Sequence, residues 1–199
     1  MRNSESYYDA LAICAHLDPI LDSVAPSEVY IFAYLSCLLS VYRKQPVTDW
    51  GYRFGTIEDG YPYSADLAQS IEDLVRAGYL QQNIEDGYLH VTPSGEKELE
   101  WLQNLGNNAK REEYITGACY SALSLPLGVI RDAIDESRDL HAARALSSTR
   151  HIPSSSGMQD IHDQFDILSR SVGVDIEDLM IPAVVWLQFM SSIDKQQQK

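Results

Sequence analysis

Between Ser64 and Gly78 the apolar side chains Leu67, Ile71, Leu74 and Val75 recur at the spacing of one helix face, with polar residues between them. Ser64 can cap that helix, Asp66 suits its first turn, and Gly78 supplies a left-handed stop after Ala77. Upstream, residues 7–21 alternate at helical spacing, with Leu11 and Ala15 on one face beside Tyr8 and Ala12, and Pro19 weakening the end. A second helix is predicted from Pro26-Ser27-Glu28 to about Arg43, with Pro46 just beyond its end. Its run 29–42 is nearly all apolar, which predicts burial on several sides. The run is too short to span a bilayer and contains Ser36 and Ser40.

Residues 47–64, rich in glycine and aromatics, read as a loop with at most one short strand. Two short strands follow, 79–82 and 88–92, around the hairpin signal Glu85-Asp86-Gly87. Pro93-Ser94-Gly95 reads as the end of the second strand, and a helix is predicted over 96–105 with Leu99 and Leu102 inward. The stretch 104–110 (NLGNNAK) is a boundary by composition, dividing the chain into 1–106 and 107–199. Beyond it helices are predicted over 111–123 and 127–146, separated at Pro126. The Ser-rich segment 147–158 reads as a flexible connection, followed by helices over 160–171 and 176–192. Pro182 must kink the last helix or lie in the first turn of a fresh one. The apolar stretches 29–42 and 181–190 read as core, with a subunit interface as the alternative.

Helix, helix, loop, helix, hairpin, helix is the order of a winged helix, and the back half reads as a helical bundle. The fold class expected is mainly α. The pieces YSADLAQSIEDLVRAGYL and GYLHVTPSGEKELEWL carry a resemblance over roughly 27–105: a Pro-Tyr-Ser start, a Leu-rich helix, a Gly-Tyr-Leu exit and a Thr-Pro-x-Gly start to the next helix. In this the chain resembles winged-helix transcription factors and antitoxins. It also resembles the small middle subunits of ABC-three-component, Lamassu-type bacterial defence systems. The inserted Tyr61, giving Gly-Tyr-Pro-Tyr-Ser, departs from the plainer Gly-Pro-Tyr-Ser form. The second resemblance implies a kleisin-like, non-enzymatic adaptor that joins an SMC-like ABC ATPase to a nuclease effector. The first implies a dimeric DNA-binding regulator or antitoxin.

Charge arbitrates between them. The 199-residue chain carries a net charge of −14, and 45% hydrophobic content argues against general disorder. Residues 1–106 hold six Lys and Arg against sixteen Asp and Glu, a balance of −10; residues 107–199 hold nine against thirteen, or −4. The half expected to face DNA is thus the more acidic. The third helix would offer Asp66, Gln69, Ser70, Asp73 and Arg76 to base edges, and the wing would push Glu85 and Asp86 toward phosphates. DNA binding relies on the opposite charge. The N-terminus has no apolar leader, and Cys14, Cys37 and Cys119 are odd in number and surrounded by apolar residues. Both features point to buried thiols in a cytoplasmic protein.

Chemistry-bearing motifs are weak. DIHDQFD (160–166) gathers Asp160, His162, Asp163 and Asp166, which could suit a metal-dependent hydrolase. The plainer reading is the solvated face of a helix whose Ile161, Phe165 and Leu168 point inward. PSSSG (153–157) lacks the Lys of a phosphate loop, and the histidines have no zinc spacing. No catalytic residue, metal or cofactor is predicted. The candidate surface is instead a partner-binding one: the aromatics Trp50, Tyr52, Phe54, Tyr61 and Tyr63 with the acids Glu58, Asp59, Asp66, Asp73, Glu85 and Asp86. For the aromatics the plainer reading is packing beneath the 47–64 loop.

Overall fold

A computed structural model describes residues 3–56, 61–145, 151–173 and 176–197. Among these the chain is mainly helical, with two small antiparallel sheets. Helix α1 (Ser4–Leu21) starts at Asn3, whose side chain accepts the Ser6 N–H at 2.9 Å. Helix α2 (Pro26–Tyr42) is buried along almost its whole circumference. The hydroxyls inside it are satisfied within the helix: Ser36 donates to the Phe32 carbonyl and Ser40 to that of Cys37, both at 2.7 Å. Glu28 accepts the Ala25 N–H at 2.8 Å and pairs with Arg131 at 2.7 Å, closing the first turn of α2 onto the back half.

A 3-10 turn (Val47–Trp50) leads to strands β1 (Phe54–Thr56) and β2 (Pro62–Tyr63). The segment 47–64 thus holds two strands where at most one was expected. Helix α3 (Ala65–Ala77) is capped by Ser64 and stopped by Gly78 at φ 78°, both as the sequence predicts. Strands β3 (Leu80–Gln82) and β4 (Leu89–Val91) form the expected hairpin in the register Leu80 with Val91 and Gln82 with Leu89. Val24, between α1 and α2, adds a single antiparallel bridge to Leu89. Helix α4 (Pro93–Leu102) starts three residues before the sequence-based boundary. Pro93-Ser94-Gly95 is its first turn, and Thr92 accepts the Gly95 N–H at 3.1 Å.

Helix α5 (Asn108–Tyr120) runs into a 3-10 turn (Ser121–Leu123). The single helix predicted over 127–146 is instead two, α6 (Leu127–Asp135) and α7 (Arg138–Ala145). Of the connection expected over 147–158, residues 147–150 lie outside the described residues and 151–158 hold regular structure. Strand β5 (His151–Ile152) pairs antiparallel with β1, Phe54 opposite Ile152 and Gly55 opposite His151, and α8 (Ser155–Val172) begins at once. Ser154 caps α8 through the Gly157 N–H at 3.1 Å. Helix α9 (Met180–Gln197) takes Pro182 in its first turn, where the missing N–H costs nothing.

The stretches on either side of residue 106 share one hydrophobic core, with α5 packed against both α1 and α2. Gly117 is the point of closest approach between α5 and the chain entering α9: a Cβ there would lie 2.6 Å from that of Leu179. At the centre, Asp9 is fully buried and held by Arg111, whose Nε donates to Asp9 Oδ1 at 2.8 Å while Nη2 donates to Oδ2. Arg111 Nη1 donates to the Trp50 carbonyl at 2.8 Å, its guanidinium lies 4.0 Å from the centre of the Trp50 ring, and the Tyr52 hydroxyl donates to Asp9 Oδ2 at 2.6 Å.

Removing one partner of such a pair strands a charge in the core. Arg111→Met is expected to lower unfolding free energy by about 3–5 kcal/mol in urea titrations at neutral pH. The double variant Asp9→Leu/Arg111→Met should recover part of that loss; a double variant no more stable than Arg111→Met would refute the stranded-charge account.

Candidate functional site

The sequence-predicted partner residues divide into two groups. Trp50, Tyr52 and Phe54 are buried, at 3%, 7% and 2% exposure, so they offer no surface. They pack beneath the loop: the Tyr52 and Phe54 rings lie 5.2 Å apart, and Phe54 meets Tyr34 edge-on at 5.3 Å. The expected exposed patch is corrected at these three positions, because Trp50 and Tyr52 enclose the Asp9–Arg111 pair. Tyr61 and Tyr63 are half-buried, and Tyr63 sets its ring edge-on to Tyr30 at 5.3 Å. Glu58 and Asp59 lie outside the described residues.

Of the acidic group, Asp66, Glu85 and Asp86 reach solvent, while the Asp73 side chain is only 13% exposed. On α3, Leu67, Ile71 and Leu74 point inward, leaving Asp66, Gln69, Glu72 and Arg76 outward. Ser70, expected on that polar face, is buried against α1 with its Oγ 2.8 Å from that of Ser6. Arg76, the lone cation of the helix, donates to Asp73 at 2.8 Å, and Gln69 donates to the same carboxylate at 3.3 Å. The positive charge is therefore neutralised on its own helix face, and Asp66 and Glu72 set the sign.

The β3–β4 hairpin follows α3, and β3 packs against that helix. Its tip is locked by local hydrogen bonds: Asn83 Oδ1 accepts the Glu85 N–H at 2.9 Å, Asp86 Oδ1 accepts the Tyr88 N–H at 3.0 Å, and Gln82 donates to the Gly87 carbonyl at 3.1 Å. At the apex Ile84 is 100% exposed, flanked by exposed Glu85 and Asp86. On α4, Trp101 is 61% exposed. Sequence reasoning passed over both, although each left a signal. Ile84 is the one apolar residue between Gln81 and Gly87, and Trp101 lies off the inward face marked by Leu99 and Leu102.

At the base of the hairpin, Asp18 accepts the Val91 N–H at 3.1 Å and contacts His90 at 3.0 Å, fixing the hairpin to α1. A cleft of about 670 Å³ opens between the start of α1, the 3-10 turn after α2 and the α4–α5 junction. Tyr7, Trp50, Arg111 and Tyr114 line it, but the Arg111 charge is already committed to Asp9.

The DIHDQFD acids disperse. Asp160 pairs with Arg138 at 3.1 Å, Asp163 accepts from Gln159 at 2.9 Å, and Asp166 pairs with Lys44, while Ile161, Phe165 and Leu168 are buried. Among the described residues no three His, Cys, Asp or Glu side chains converge as metal ligands, and no helix is long and apolar enough to cross a membrane. The three cysteines are free and buried, and burial pushes the thiols of Cys14, Cys37 and Cys119 up, away from the reactive thiolate.

A second polar cluster lies one residue along from the central ion pair. Glu112 accepts from the Tyr8 hydroxyl, lies 2.6 Å from His16 Nε2, and is reached by Gln103 at 3.4 Å. No protein-family profile, curated protein or solved structure matches the chain.

Burial pushes the Glu112 carboxyl up, but the hydrogen bonds from His16 and Tyr8 outweigh burial and hold it below the ordinary value of 4.5. A depressed carboxyl stabilises the fold fully above its unfolded value, and that contribution is lost as pH falls through the lower folded value. The resistance of the chain to urea should therefore fall as the pH drops below about 4.5. The Glu112→Gln variant should be less stable at neutral pH and show a flatter acid limb. Identical acid limbs would remove Glu112 from that role.

Proposed function

We propose that this chain is a non-enzymatic adaptor with a winged-helix front half, whose acidic α3–hairpin face docks another protein rather than DNA. In the fuller reading it is a kleisin-like middle subunit, bridging an SMC-like ABC ATPase and a nuclease effector in bacterial antiviral defence. The element order supports the winged-helix assignment. α1, the Val24 bridge, α2, α3 and the β3–β4 hairpin follow that order, and Val24 pairs with Leu89 as the short third strand of such a domain does. The sequence resemblance over 27–105 supports the choice of assembly.

The observation that carries the docking reading is the surface of α3 and the hairpin. A helix that reads bases offers Arg, Lys, Asn or Gln into the major groove. Here Arg76 is neutralised by Asp73, while Asp66, Glu72, Glu85 and Asp86 stand outward. Like charges brought against phosphates cost on the order of several kcal/mol. A protein partner inverts the sign of that term, since a basic surface would be attracted. It would also bury Ile84, an apolar side chain pre-positioned on a locked turn at little further entropic cost.

Three measurements test this. In mobility-shift titrations at low salt the purified chain should not bind random duplex DNA at micromolar concentration. Tagged chain from its native host should co-purify with an ABC-type ATPase identified by mass spectrometry. The double charge reversal Glu85→Lys/Asp86→Lys should weaken that association by about tenfold or more and make it less salt-sensitive. Micromolar duplex binding, or a chain that purifies with no ATPase, would sink the proposal.

A further inference from the structure

A cavity of about 130 Å³ lies where α2, the turn between α6 and α7, α8 and α9 meet. Tyr34 and Ser137 line it, at 0% and 5% exposure, and among the described residues neither the Tyr34 Oη nor the Ser137 Oγ has a hydrogen-bond partner. A buried hydroxyl left unpaired costs free energy, so a folded protein rarely keeps one without a reason. Most other polar groups of the wall are engaged. Asp139 accepts the Ser154 N–H at 2.6 Å and also the Ser154 hydroxyl. Gln164 Oε1 accepts the Trp186 indole N–H at 2.9 Å, and Arg138 pairs with Asp160 at 3.1 Å. Half-buried Glu136, beside Ser137 in the chain, also lines the cavity and has no ion pair among the described residues.

The uncommitted groups decide what fits. The hydroxyls of Tyr34 and Ser137 can accept hydrogen bonds, and the Glu136 carboxylate can only accept. The carboxylates of Glu136, Asp139 and Asp160 line the cavity against the single cation Arg138. Burial, then Cys37 and Asp139, push the Tyr34 hydroxyl up, so it stays neutral in a negative field. An occupant must therefore bring donors and positive charge. The rest of the wall is apolar, with Ile161, Trp186 and Met190 all buried. About four waters would fill this volume, but those beside the apolar wall would lack partners. Cavities of about 150 Å³ take up benzene, which sets the size of an occupant at about six non-hydrogen atoms.

We propose that this cavity binds a small primary alkylammonium, its head donating to Tyr34, Glu136 and Ser137 and its hydrocarbon body lying against Ile161, Trp186 and Met190. The head carries three N–H donors, one for each acceptor. The chain's charge of −14 draws such cations in and repels anions.

The inference does not depend on the adaptor reading, and its test uses the whole chain with n-butylammonium chloride. In NMR titrations the Trp186 indole N–H should shift and saturate at about millimolar concentration, while that of Trp101, exposed on α4, stays in place. Butyrate should give no shift, and n-butanol should bind about tenfold more weakly, because it lacks the charge. Ser137→Ala and Glu136→Gln should each weaken butylammonium binding by about tenfold. Without the amine, Ser137→Ala should unfold in urea at the same midpoint or a higher one, since it removes an unpaired hydroxyl. The absence of a saturable Trp186 shift would overturn the inference. So would equal affinity for n-butanol, which marks an apolar void only, or a clear loss of stability in amine-free Ser137→Ala, which marks a hydroxyl already satisfied. Unchanged affinity in Glu136→Gln would overturn it too, an arm that decides the matter even where Ser137→Ala does not fold.

Discussion

A carboxylate with no solvent exposure must find its counter-charge inside the protein, and much of this fold is arranged around that demand. Asp9 comes from α1, Arg111 from α5, and Trp50 and Tyr52 from the loop after α2. Burial pushes the Asp9 carboxyl up, and the guanidinium and the Tyr52 hydroxyl oppose that by bonding its charged form. Desolvating two ions offsets much of their attraction, so the pair is better understood as a constraint than as a source of stability. Both Asp9 oxygens are used, and three guanidinium nitrogens are engaged. A slip of α5 by one residue would replace Arg111 with Lys110 or Glu112 and leave Asp9 without its fork-shaped partner. The neighbouring Tyr8–Glu112–His16 cluster repeats the same registration between the same two helices.

That constraint also explains where sequence reading stopped. Helices were legible wherever one face carried the apolar residues, and α3 was legible at both ends because Ser64 and Gly78 act locally. The start of α4 was missed because Pro93 ends a strand and begins a helix equally well; Thr92 decides it by capping. Ser70 looks outward by spacing, yet it faces Ser6, a partner 64 residues away that no local rule reveals. The burial of Trp50, Tyr52 and Phe54 depended on charges at positions 9 and 111, which in a sequence read as surface. Complementarity between two charged residues a hundred positions apart leaves no periodic trace.

The acidic face is different in kind. Its outward residues were readable because amphipathic spacing assigns Asp66 and Glu72 to the solvent side once Leu67, Ile71 and Leu74 are turned in. What the structure adds is order. Asp73 restrains Arg76, and the side chains of Asn83 and Asp86 restrain the turn that carries Ile84. A surface already fixed before contact loses little freedom on binding.

The pairing of β1 with β5 bears on how the chain is made. Gly55 and His151 are neighbours in a sheet although the chain between them contains two helices of the front half and three of the back. During vectorial synthesis the strand at Phe54–Thr56 emerges long before its partner, so its outer edge waits unpaired until Ile152 has cleared the ribosome. The contact is of high order in sequence and carries the loop-closure entropy of that separation. The front half can collapse around α2 as it emerges, but its sheet is completed only after most of the back half exists.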